Sequence, residues 1–189
     1  MKFYHGTSYE SGMNIIKSKS FGHIDTVWTC SDNDMTYCVS EEYDGSREAA
    51  IRIAVEAGQI AAAHINSKST DIILFEFDTD DDTENFLPDV SCENTDYFYQ
   101  IDNDILNDMI ASGEVKMKIY RVRNAYEPYM RAFYVASLYS NRYYRFDDKR
   151  LEKACRCLQT ADTCWFFDDY INSYNDPTET EITDKFEEI

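Results

Sequence analysis

Phe3-Tyr4-His5-Gly6-Thr7 opens the chain on residue types able to hold a planar amide. A glycine lets the backbone approach a flat group closely, and the neighbouring histidine offers a ring nitrogen to a ribose hydroxyl. Trp28-Thr29-Cys30-Ser31 and Met35-Thr36-Tyr37-Cys38 follow. Trp28 and Tyr37 can sandwich a ring between them, and Ser31 can donate to an amide oxygen. An amide clamp, a ring sandwich and a ribose contact together describe a nicotinamide pocket. Breaking the bond from nicotinamide to ribose passes through an oxocarbenium-like transition state. That step also needs a carboxylate near the developing positive charge.

These residues have to be positioned by local structure. Residues 2–6 read as a short strand. Ser8 to Ser18, with Met13, Ile15 and Ile16, reads as a helix, and Ser20-Phe21-Gly22 as a turn. Val27 to Cys30 is expected to be a second strand. Ser31 or Asp32 is placed to cap a helix running to about Glu42, which would put Tyr37 on that helix. Arg47 to Ile65, rich in alanine and with Ala50, Ile53, Ala54, Ala57 and Ile60 on a helical period, predicts the longest helix. Strands are expected over 71–77, 97–101 and 115–122. A helix is expected over 103–112, with Gly113 as its C-cap. The acidic run from Asp78 to Glu84 lacks the glycine and trailing glutamate of a calcium loop and reads as solvated. Beyond Pro128, helices are expected over 129–140, 147–159 and 161–173, followed by an acidic tail that frays.

On these residues the chain resembles the ADP-ribosyltransferase superfamily, on the poly(ADP-ribose)-polymerase and diphtheria-toxin-like side. That side carries a His-Tyr-Glu signature, and its first strand ends in His-Gly-Ser or His-Gly-Thr, matched here by His5-Gly6-Thr7. Its second strand carries an aromatic residue, for which Trp28 stands, and Tyr37 matches the second stacking tyrosine. The family glutamate precedes a strand of the type Glu-Tyr-Ile-Val. Asp96-Tyr97-Phe98-Tyr99 stands in that place, with Glu93 and Glu114 as further candidates. The resemblance, which does not reach past residue 124, implies an α+β fold with a split, mixed β-sheet core; the pattern of elements divides the chain into an α/β module at 1–124, a C-terminal helical extension at 125–175 and an acidic tail at 176–189. The resemblance implies NAD as substrate and transfer of ADP-ribose to a macromolecular acceptor, protein or nucleic acid. The implied catalytic residues are His5 and Asp96 or Glu93; Gly6, Thr7, Trp28, Ser31 and Tyr37 join His5 in binding the dinucleotide.

Composition narrows the alternatives. In 189 residues, 43% hydrophobic, the chain has enough apolar content for a sizeable core. The formal net charge of −18 repels phosphates over most of the surface, so imitation of DNA by an inhibitor is one rival function. An inactive, NAD-binding member of the same fold is another. Residues 116–156 run against the overall charge, with eleven lysines and arginines and four carboxylates. Internal pairing of that stretch is expected ahead of an anionic partner. No P-loop, G-x-G-x-x-G or serine triad is present, and three histidines with scattered cysteines do not compose a metal site. Without a signal peptide or apolar span, a reduced cytoplasmic setting is expected, with the cysteines as buried hydrophobes.

Overall fold

The computed structural model describes residues 1–22, 34–80, 83–89, 97–138, 149–151, 153 and 185–189. The strand expected at 27–30, with Trp28, and the candidates Ser31, Glu93 and Asp96 lie outside the described residues. So do most of the helix expected at 147–159 and all of that at 161–173.

Among the described residues seven strands form one sheet: β1 (Lys2–Ser8), β2 (Met35–Ser40), β3 (Ile72–Thr79), β4 (Leu87–Pro88), β5 (Phe98–Asp102), β6 (Val115–Val122) and β7 (Phe186–Glu188). Their order is β4-β5-β2-β1-β3-β6-β7. All six pairings are antiparallel, which corrects the expected mixed sheet. Four α-helices are described: α1 (Tyr9–Ser18), α2 (Arg47–His64), α3 (Asn103–Ser112) and α4 (Arg131–Leu138).

Local chemistry explains most boundaries. The Ser8 hydroxyl accepts from the Ser11 amide and caps α1, while Ser46 caps α2 by accepting from Ala49. Asp102 caps α3, and Gly113 closes it in the left-handed conformation at φ 82°. Residues 35–40 overturn the expected helix. Thr36, Tyr37, Cys38 and Val39 are strand formers, and they pair with β5 from Met35↔Asp102 to Val39↔Phe98. A capping signal upstream cannot compete with two neighbouring strands. The tail is corrected as well. Residues 186–188 add to the edge of β6, where Arg123 donates to Glu187 at 2.6 Å and Phe186 packs on Tyr120.

Alternation along the strands divides the core into two layers. On one face Tyr4, Val39, Ile72 and Leu74 pack against α2, joined by Tyr126 and by Val135 of α4. On the other, Phe3, Cys38, Phe75, Phe77 and Ile101 pack against Ile15 of α1 and Leu106 and Met109 of α3. Helix α2 lies unusually close to the sheet. A Cβ on Gly6 would fall 1.7 Å from the Ala54 carbonyl oxygen, and one on Gly58 would fall 2.4 Å from the Ile72 side chain. Bare glycines on strand and helix are what permit this approach.

The basic stretch is engaged internally wherever its arginines are described over 121–131. Arg121 pairs with Asp71 at 2.6 Å, Arg123 with Glu187, and Arg131 donates to the last carbonyls of α2, Ala63 and His64. The last contact places a cation at the negative end of the helix dipole.

Candidate functional site

The β1–β2 ladder pairs Phe3 with Ser40 and Tyr4 with Val39. One residue further along β1, a side chain takes over: His5 Nδ1–H donates to the Tyr37 carbonyl oxygen at 2.7 Å. This bond fixes the tautomer in which Nε2 carries the lone pair. Burial lowers the pKa of His5 below its ordinary 6.5, against the opposing pull of that bond. The neutral imidazole packs between Phe21 and Phe75, with ring centroids 6.2 and 6.1 Å away.

Gly6 and Tyr37 turn to the other face and border a cleft of about 190 Å³ between β1, β2 and α2. Ile53, Ala54, Ala57 and Ile60 of α2 form its apolar wall. Phe98 and Tyr99 of β5 and the buried Asp89 complete it. Glu56 of α2 also lines the cleft and brings a carboxyl into these surroundings. Desolvation raises its pKa above the ordinary 4.5 and outweighs the opposing charge of Arg52 one turn earlier.

One end of the cleft is held by ions. The Tyr4 hydroxyl accepts from Arg47 Nε at 2.9 Å, and Arg47 and Lys2 both reach the buried carboxylate of Glu76 at 3.1 Å. Burial pulls Glu76 upward, but the two cations outweigh it and hold its pKa low. Burial pushes Tyr4 up to about 12, despite its bond to Arg47. The network ties the first turn of α2 to β1 and β3.

Of the residues singled out in the sequence, Gly6 and Tyr37 come together in the cleft. His5 and Thr7 belong to the opposite face, and His5 touches Tyr37 only through its backbone. Glu114 is exposed between α3 and β6, where it accepts from Ser112, away from the cleft. Cys38 is buried and its thiol is driven to a high pKa, so it is no nucleophile. Glu56 was missed by sequence reasoning. Its one signal was a carboxylate set among Ile53, Ala54, Ala57 and Ile60 on the apolar period of α2. Among the described residues no cluster of three or more metal-ligating side chains occurs, and no helix is long and apolar enough to cross a membrane. Compared with protein-family models, with curated proteins and with solved structures, the chain has no match.

Proposed function

We propose that the protein binds NAD with its nicotinamide ring in this cleft and transfers ADP-ribose to a macromolecular acceptor, in the manner of the ADP-ribosyltransferases it resembles. One observation carries the proposal. The three strands that bear the resemblance are neighbours in the order β5-β2-β1, and their α2-facing residues enclose one cleft. These are β1 with His5-Gly6-Thr7, β2 with Tyr37, and β5, which starts two residues after Asp96.

Tyr37 sits on a strand rather than a helix, so it takes the role of the second-strand aromatic that was expected of Trp28. Its ring, with Phe98, stacks the nicotinamide, and Gly6 leaves room for the carboxamide. His5 acts through Tyr37, holding the carbonyl beside the ring. Asp96 or Glu93 supplies the carboxylate for the oxocarbenium-like transition state. The cleft is smaller than the roughly 300–1,000 Å³ of a pocket that swallows a whole ligand. It suits one ring, with the rest of the dinucleotide running outside.

Incubation with NAD tests this. The expected result is release of nicotinamide, with Tyr37→Ala cutting the rate at least about tenfold through lost positioning. Absence of both binding and release overturns it. His5 lying off the cleft favours a second reading, binding without turnover, which saturable NAD binding with no nicotinamide released would select.

A further inference from the structure

We infer that Glu56 makes the cleft a site for a cationic aromatic ring, and that toward NAD it selects the oxidised, positively charged nicotinamide over the neutral ring of the reduced form. The choice of NAD rests on the function proposed above; the preference for positive charge rests on the cleft alone.

An ionised carboxylate facing an apolar wall is costly unless an opposite charge meets it. Arg52 does not fully compensate it, since desolvation of Glu56 prevails over that charge. A helix packed on a sheet would ordinarily present an aliphatic residue at such a position. The rest of the lining agrees in sign. Tyr37 and Phe98 offer aromatic rings, whose faces attract cations. Asp89 is a second acidic residue at the cleft wall. Among the described residues no lysine or arginine lines the cleft; Arg47 and Lys2 at its end are taken up by Tyr4 and Glu76. A small metal ion fits poorly against walls this apolar, and no ligand cluster for one exists among the described residues. A flat cation of one ring satisfies both the walls and the carboxylate.

Two pairs of probes separate charge from shape, titrated into the full chain by calorimetry. The first pair is 1-methylnicotinamide, a cation, and nicotinamide, its neutral counterpart. The second is NAD in its oxidised and reduced forms. The cationic member of the first pair is expected to bind about tenfold more tightly, the scale of a partly desolvated cation contact. In Glu56→Gln this preference disappears while nicotinamide binds as before. Glu56→Asp, which keeps the charge, retains a preference. Thermal melting of both variants confirms that they fold.

Equal binding of the first pair, or a preference that survives in Glu56→Gln, overturns the inference and leaves NAD binding standing. A Glu56-dependent preference for 1-methylnicotinamide with no binding of either dinucleotide supports the cation site and sinks the NAD proposal. Failure of all four probes overturns both.

Discussion

The two faces of the β-sheet are built to different ends. The face toward α1 and α3 is a dry aromatic core. Phe21 meets Phe75 edge-on at 5.0 Å and Phe77 at 5.5 Å, and Phe3 stacks on Phe86 at 4.1 Å. The face toward α2 joins by small residues and leaves a cleft with a carboxylate in it. His5 and Gly6 are adjacent in sequence, yet they serve different faces. The histidine completes the packed side and reaches across only to hold a backbone carbonyl; the glycine lets α2 close over the other side. A dipeptide that reads as one binding motif is thus divided by the two-residue period of the strand.

Truncation on the packed face gives the largest expected effect. Phe75 is fully buried, and Phe75→Ala should cost about 3–5 kcal/mol of stability. Its signature is a lower urea midpoint at unchanged slope. A loss below about 1 kcal/mol would mean that this face is not the tighter of the two.

Gly6→Ala should come next. The new methyl must displace the Ala54 carbonyl, and overpacking of this kind costs about 1–3 kcal/mol. Because Gly6 also borders the cleft, weaker ligand binding should accompany the lost stability. Stability unchanged from the parent would show that α2 lies farther from β1 than described.

A smaller effect has opposite signs on the two faces. Glu56 has a raised pKa, so it binds its proton more tightly in the folded state. Its cost to stability is absent below the ordinary 4.5 and grows as pH climbs through the raised value. His5 has a lowered pKa; its cost is absent above the ordinary 6.5 and grows as pH falls through the lowered value. Glu56→Gln should therefore melt higher than the parent at about pH 8, with the advantage gone at about pH 4. His5→Asn should melt lower than the parent at about pH 8, by the loss of roughly one hydrogen bond. That deficit should narrow at about pH 5, where the parent's histidine begins to resist protonation. Parallel pH profiles for the two variants would erase the distinction between the faces.

Much of this architecture was legible where local signals and burial agree. Ser8, Ser46 and Gly113 mark helix ends by cap chemistry, and α2 declares itself through its alanine-rich period. The strand at 35–40 was not legible, because what makes it a strand is pairing with residues 98–102, some sixty positions away. The closing strand at 186–188 was hidden for the same reason, its partner being β6. Of the residues that line the cleft, Gly6 and Tyr37 stand out in the sequence by type and spacing. Glu56 was overlooked because a glutamate within a long helix ordinarily faces solvent, and only the fold of α2 over β1 turns it toward an apolar wall.

The α2-facing cleft, and not the aromatic face, is expected to receive the ligand. Amide chemical-shift changes on titration of the isotopically labelled parent chain with oxidised NAD test it most directly. Changes should concentrate at Gly6, Tyr37, Glu56, Ala57 and Phe98, with Phe75, Phe77 and Leu106 little affected. Changes centred on Phe21, Phe75 and the α1–α3 face, or none at saturating dinucleotide, would contradict it.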